Sequence, residues 1–406
     1  MVNSSVRTDL PTAPGLARSP WTWLLGVLVL LGLVAWVYEL GHGLAATGMR
    51  DVVSWGMYIF TFAYLVGLSA GGLIVASSSE VFHIEALRPL ARLGVLAAAV
   101  FSAAAGLMII PDLGQPIRVL NLFIFPNWTS PLVWDVTIIT IYFLFSILEL
   151  WVMVRRPEKK ATLTTLAFIG LPLAVLLHSI TAIIFGLQMS RPWWNTALMA
   201  PIFVASAILS GTALIVLIAW ILQRYNGLRI PAATWRWLAG LMVMALFVDL
   251  FFVASDYVTI AWDNIPKDRQ VLDLILPGGP YQLTFWFEWV VGGVIPFVIL
   301  ASSKLRAKAS NLALAAALIL MGVYAFRIEL VIPAFVNPLI QLPPGTSLGA
   351  VSTSGSFQLI GHYSPTWVEY LITLGLFALT ALAISIGYRR LHLGRNIQEA
   401  AEHVAD

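Results

Sequence analysis

Leu177-His178-Ser179-Ile180-Thr181-Ala182-Ile183-Ile184-Phe185-Gly186-Leu187-Gln188-Met189-Ser190-Arg191-Pro192-Trp193-Trp194-Asn195 is the stretch on which the reading of this chain turns. It opens inside an unbroken apolar run and closes on arginine, two tryptophans and asparagine. About 20 apolar residues carry a helix across the hydrocarbon core, and Trp and Arg gather where such a helix meets the interface. So the stretch reads as the second half of a membrane span and its surface loop. His178 is the only histidine inside such a run. An ionisable ring at membrane depth is a functional-site hypothesis by default.

The rest of the chain agrees. It is 59% hydrophobic and 11% charged, against about 25% charged in soluble domains. The fold class is therefore an all-α integral membrane protein. A net charge of only +3 gives no footprint for nucleic acid. There is no cysteine, which excludes disulfides and any cysteine-ligated iron–sulfur cluster in this chain. Met1 to Pro20 is polar and lacks an Ala-x-Ala cleavage site, so it reads as a tail rather than a signal peptide.

Ten spans are predicted, near 21–40, 52–78, 90–111, 131–153, 163–187, 197–222, 234–256, 282–302, 309–331 and 366–388. Proline and glycine fall mainly between them, as in Pro277-Gly278-Gly279-Pro280 and Pro343-Pro344-Gly345. Arg50, Arg118, Arg191, Lys267 and Arg269 lie in one set of loops and Arg327 inside a span; every other Lys and Arg, from Arg7 and Arg18 to Arg395, lies in the alternate set. The positive-inside rule then puts both termini in the cytoplasm. The organisation is a cytoplasmic tail 1–20, a transmembrane domain 21–390 and a cytoplasmic tail 391–406.

Orientation gives depth. Asp112, Asp135, His178, Asp256, Glu288, Arg327 and Glu329 fall in the outer half, Asp249 near the middle and Glu149 near the inner end. That bias suggests a polar chamber reached from outside. A faint repeat overlays spans 2–5 on 6–9: Gly71 meets Gly211, Asp112 meets Asp256, Asp135 meets Glu288 and His178 meets Arg327. It suggests two four-helix bundles, about 52–187 and 197–331, plus two peripheral helices.

One histidine at depth does not make a bis-histidine haem site, and nothing has zinc-ligand spacing. A lone imidazole with carboxylates and aromatics suits a quinone. Neutral imidazole donates to a carbonyl or accepts from a hydroxyl, and the protons need a carboxylate route to water. Asp135, Asp112 and Glu288 offer one, and Trp193 and Trp194 could flank the ring. Structural alternatives stand beside each: a satisfied interhelical bond for His178, an interhelical pair for Asp135 and Glu288, a helix cap for Asp112, and close helix packing for Gly71-Gly72.

Trp55-Gly56, Gly67-Leu68-Ser69-Ala70-Gly71-Gly72, Asp112-Leu113-Gly114-Gln115-Pro116, Ser130-Pro131, His178 and Arg191-Pro192-Trp193-Trp194-Asn195 together resemble the NrfD/PsrC family of polysulfide reductase-type membrane subunits. Phe285-Trp286-Phe287-Glu288 and Pro365-Thr366-Trp367-Val368-Glu369 are similar to its long ten-helix branch, which includes HybB and the integral subunits of alternative complex III. The resemblance implies a quinone-reactive membrane anchor of a respiratory oxidoreductase, without haem or iron–sulfur cluster of its own, in a bacterial or archaeal cytoplasmic membrane. It implies menaquinone or ubiquinone, a ferredoxin-like iron–sulfur partner on the outer face, and a molybdopterin, nickel–iron or c-type cytochrome catalytic subunit. Two departures matter. Gln115 stands where the family often has arginine, and Phe60 and Ala63, with Tyr58 and Tyr64 nearby, replace a quinone-holding histidine and asparagine. A tyrosine of the short family members falls close to His178, which moves the expected head-group contact to His178, with Tyr64, Gly71, Arg191, Trp193 and Trp194 around the ring. Asp135 and Asp112 would pass protons outward, and Glu149, Asp249, Asp256, Glu288, Arg327 and Glu329 would extend the path. Ion-coupled transport is the rival reading, since buried carboxylates, Arg327 and the repeat also allow it.

Overall fold

The computed structural model describes residues 20–338, 347–348, 351–352, 361–394 and 397–398. Ten helices in it are long and apolar enough to cross a membrane. They are α1 (Pro20–His42), α2 (Met57–Val81), α3 (Ala91–Asp112), α4 (Pro131–Arg155) and α5 (Lys160–Gly186), followed by α6 (Met199–Asn226), α7 (Ala232–Asp263), α8 (Gln282–Ala301), α9 (Ala309–Val336) and α10 (Trp367–Arg390). The expected number and order hold. The only strands among the described residues are the two-residue antiparallel pair Ser347–Leu348 and Val351–Ser352. The tails 1–19 and 399–406, with Arg7 and Arg18, lie outside the described residues, as do Pro343-Pro344-Gly345 and Arg395.

Helix ends run further than the hydropathy minima suggest. The chain does not leave α7 at Asp256 but continues to Asp263, so Asp256 sits two turns inside the helix. Helix α9 continues to Val336, which puts Arg327 and Glu329 deeper than its outermost turns. The α7–α8 connection also holds a short amphipathic helix, Pro266–Ile275, that the span pattern did not predict. A mixed apolar and charged segment of ten residues is too short to register as a span.

Helix α2 is the axis of the fold, with every residue from Met57 to Ser79 buried. It is apolar on all sides, as a helix with no lipid-facing side must be. Its neighbours are α3, α5, α6, α9 and α10. Among the first four, contacts run α2–α3, α3–α4, α4–α5 and α5–α2; among the next four, α6–α7, α7–α8, α8–α9 and α9–α6. Contacts α2–α6, α5–α6 and α2–α9 join the two sets, and α1 pairs with α10 alongside α3.

Glycine makes the closest crossings. A methyl built on Gly71 would lie 2.3 Å from the Ala207 carbonyl oxygen and 2.4 Å from Gly211 Cα, so the backbones of α2 and α6 touch. Gly292 meets Gly322 in the same way between α8 and α9. Such contacts drive helix association where lipid is as apolar as leucine. Gly292 belongs to a π-helical stretch, Phe287–Val294. Pro296 follows it and lacks the N–H that would bond back to the Gly292 carbonyl in an α-helix.

Candidate functional site

His178 is 1% exposed, at the junction of α5 with α2 and α6. Neither ring nitrogen has a hydrogen-bond partner among the described residues. Gly67 of α2 faces the ring, since a methyl there would stand 3.6 Å from His178 Nε2 and 3.4 Å from Ser210 Oγ. One turn along the same face of α5, Thr181 Oγ1 donates to Asp135 Oδ1 of α4 at 2.6 Å. Asp135 and Thr181 are both buried. Asp135 and His178 are thus tied to one helical face through Thr181, a residue that the sequence reading passed over.

Across the junction lies Arg327 of α9, fully buried. Its Nη2 donates to Ser206 Oγ at 2.8 Å, and its guanidinium carbon stands 3.9 Å from the centre of the Phe203 ring. The His178 ring is 6.3 Å from Phe203, centre to centre. Phe203 therefore borders both the imidazole and the guanidinium. Asp249 and Glu288 act electrostatically on Arg327. Beyond them Tyr257 donates to Glu329 Oε2 at 2.7 Å, and Glu288 and Glu329 are both buried. Trp193 and Trp289 pack against Tyr257, at 5.8 and 6.1 Å between ring centres.

The Arg-Pro-Trp-Trp-Asn segment plugs the end of this seam. Trp194 stacks on Trp55 at 5.7 Å and 20°, and its Nε1 donates to the Leu330 carbonyl at 2.6 Å. Arg191 lies over Phe335 at 3.9 Å and donates to the Ala334 carbonyl at 2.6 Å. Partial burial lowers the Arg191 pKa from its usual value. Asn195 ties the turn to the Gly186 carbonyl at 2.8 Å. Phe185 carries the aromatic column from Trp194 to Phe203.

Other predicted residues fall elsewhere. Asp112 has Glu39 and Glu369 as its charged neighbours, not His178. Tyr64 packs on Tyr324 and Phe377 and so faces α9 and α10. Gly71 lies against the α6 backbone, which leaves no space there for a ligand; of its two readings, helix packing is the one realised. Glu149 is fully buried with no hydrogen-bond partner on either oxygen. Asp256 accepts from Thr196 Oγ1 at 2.6 Å.

The group around Asp112 was not anticipated. Glu39 of α1 accepts from Tyr58 of α2. Glu369 of α10 accepts from the Tyr363 hydroxyl at 2.5 Å and from the backbone N–H of Gly48 and Thr366 at 2.6 and 2.9 Å. Burial and the Glu369 charge push the Tyr363 pKa up. Thr366 and Glu369 also form the capping box at the start of α10. No group of three or more metal-ligating side chains occurs among the described residues.

Ten apolar helices around a buried polar seam define a multi-span membrane protein. The profile of the family described as "Polysulphide reductase, NrfD" matches residues 45–338, and the chain belongs to that family. It is 32% identical to a putative dimethyl sulfoxide reductase membrane subunit of Halobacterium salinarum, over 98% of this chain and 97% of that one. It is 28% identical to the "Hdr-like menaquinol oxidoreductase integral membrane subunit" of Archaeoglobus fulgidus, over 93% and 95% of the two. To the "Probable Ni/Fe-hydrogenase 2 b-type cytochrome subunit" of Escherichia coli K12 it is 27% identical, over 91% of each.

Proposed function

We propose that this chain is the membrane-anchoring, quinone-reactive subunit of a multisubunit respiratory oxidoreductase in a bacterial or archaeal cytoplasmic membrane. It would exchange electrons between a ferredoxin-like iron–sulfur partner and the menaquinone or ubiquinone pool. The partner would dock on the face that carries Trp194 and Asp112, outside the cell if the basic loops and both termini are cytoplasmic. A molybdopterin, nickel–iron or c-type cytochrome subunit would complete the complex, in line with the names its relatives carry. The contact order of the helices supports two four-helix units near 52–187 and 197–331.

The observation that carries the reading is His178, a fully buried imidazole with both nitrogens unsatisfied. Buried polar groups in native proteins are paired, and each exception needs a reason. A quinone supplies carbonyl acceptors when oxidised and hydroxyl donors when reduced, and two protons move with its two electrons. His178 answers either form by donating or accepting. Gly67, without a side chain, leaves a methyl's width beside the ring. Asp135, held by Thr181, takes the proton one turn away. Trp55, Trp193, Trp194 and Arg191 close the seam and keep bulk water from the buried groups. Asp249, Arg327, Glu288 and Glu329 extend the proton route through the second set of helices, with Asp256 near one end and Glu149 buried in α4. Helices broken at mid-depth would favour ion-coupled transport; α5, α6 and α9 run without a break, and α8 holds the π-helical stretch Phe287–Val294.

The test is His178→Ala in the assembled complex. Quinone-linked turnover falls by more than tenfold, while the partner enzyme keeps its rate with a soluble dye. Unchanged quinone turnover would remove His178 from the site.

A further inference from the structure

A second feature of the fold, on the side of α2 away from His178, has the makings of a ligand site. Helices α1, α3 and α10 enclose a cavity of about 170 Å³. Gly32, Trp36, Met108, Pro111, Ile372 and Gly375 form its walls. Gly32 and Gly375 bring α1 and α10 into backbone contact, since a methyl on Gly32 would lie 2.9 Å from Gly375 Cα. The mouth opens between side chains on the lipid-facing surface: Leu33 is 51%, Leu107 45% and Leu379 40% exposed. The cavity is thus a narrow apolar slot entered from the bilayer.

Its other end is polar. Trp36 Nε1 is buried and has no acceptor among the described residues. Glu39 lies one turn further along α1, about 4.5 Å along the axis. Asp112 follows the wall residue Pro111, and its Oδ1 is buried without a donor. Glu369 precedes the wall residue Ile372 by one turn on α10. Glu39 and Glu369 already accept from Tyr58 and from Tyr363 with two backbone N–H groups. Two unanswered atoms belong to this end: the N–H of the wall residue Trp36 and the carboxyl of Asp112, one residue beyond the wall. A phospholipid acyl chain satisfies neither. A flat ring bearing a carbonyl or hydroxyl on an isoprenoid tail can meet both.

We propose that the slot between α1, α3 and α10 is a second quinone-binding site, in which Trp36 Nε1 donates to a ring carbonyl and Asp112 accepts from a ring hydroxyl. The inference rests on the quinone reading given above, but on different helices from His178. Helix α2 stands between the two places, in contact with α5 on one side and with α3 and α10 on the other. A ring entering from the bilayer meets this slot without passing through the packed centre. The site is one of binding; it requires no redox step of its own.

The test is equilibrium dialysis of the purified full complex, in nanodiscs of defined phospholipid, against a radiolabelled naphthoquinone with a short isoprenoid tail. Leu379→Trp fills the mouth from a partly exposed position without disturbing the glycine contact. Trp36→Phe removes only the N–H. The wild-type complex takes up an equivalent that Leu379→Trp loses and His178→Ala keeps. Trp36→Phe weakens that equivalent about fivefold, the loss of one neutral hydrogen bond of about 1 kcal/mol. Binding unchanged by both slot variants, with only the His178-dependent equivalent present, overturns the slot and leaves the quinone reading intact. No quinone bound by the wild-type complex overturns both.

Discussion

Gly71→Ala measures how closely the two sets of helices are joined. The new methyl would stand 2.3 Å from the Ala207 carbonyl oxygen and 2.4 Å from Gly211 Cα, where ordinary contact begins near 3.4 Å. Helices α2 and α6 must separate by about 1 Å at this point, and both neighbours are backbone, which has no rotamer to yield. Overpacking of this kind costs about 1–3 kcal/mol. The substitution also raises helix propensity, by up to about 1 kcal/mol. Gly106→Ala on α3 supplies the correction, because nothing lies within 4 Å of its methyl and it gains the same propensity. The assay is the temperature at which half of the detergent-solubilised protein leaves the monodisperse peak, for wild type, Gly71→Ala, Gly211→Ala, the double variant and Gly106→Ala. The two junction variants fall below wild type and Gly106→Ala does not. The double variant loses less than the sum of the singles, since one separation relieves both clashes. If Gly71→Ala is as stable as Gly106→Ala, the backbones do not touch there and the packing reasoning fails.

Three further outcomes follow from buried contacts. Arg327→Met removes the donor to Ser206 Oγ and the cation over Phe203 and costs about 1.5–3 kcal/mol, the worth of a hydrogen bond from a charged group, and Arg327→Lys does not restore it, because Phe203 and Ser206 meet a planar guanidinium; thermal midpoints of the three proteins check this. Asp268, in the short helix outside the spans, has its pKa raised by burial and by the Asp256 charge. Stability linked to its protonated form is present at low pH and lost as pH rises through the folded-state pKa, so Asp268→Asn is more stable than wild type at pH 7 and the gap closes below about pH 4; a gap independent of pH contradicts it. Tyr363→Phe removes the acceptor for the Met57 N–H and the donor to Glu369, about 0.5–1.5 kcal/mol each, and is read as faster proteolysis between residues 361 and 366.

The sequence made the spans legible because hydrocarbon thickness imposes length and composition on every one of them. Residue heights were legible where the helix ends were, since rise per residue is fixed; Asp256, Arg327 and Glu329 lie deeper because α7 and α9 run past their expected ends. What helix pattern alone could not supply was azimuth. Asp112 and His178 were grouped because both are near the same end, yet α2 stands between α5 and the group of Glu39, Asp112 and Glu369. Gly71 was readable as packing, and the repeat that paired it with Gly211 gains weight from their backbone contact. Residues related by a two-fold axis meet where the axis passes between them. His178 and Arg327, the other aligned pair, likewise border the same Phe203 ring. Glu39 went unnoticed because a carboxylate one turn from a helix end resembles a solvated terminus; its burial depends on Tyr58, a contact made across helices. Thr181 carried no signal at all, since a threonine in an apolar helix ordinarily bonds back to its own backbone.

The central claim is that a quinone meets this polypeptide within the membrane. Photolabelling with an azidonaphthoquinone, in membranes containing the assembled complex and with excess unlabelled menaquinone as competitor, tests it most directly. Competed cross-links on peptides of α2 and α5 around His178, or of α1, α3 and α10 around Trp36, are the predicted result. Competed cross-links confined to the partner subunits would contradict it.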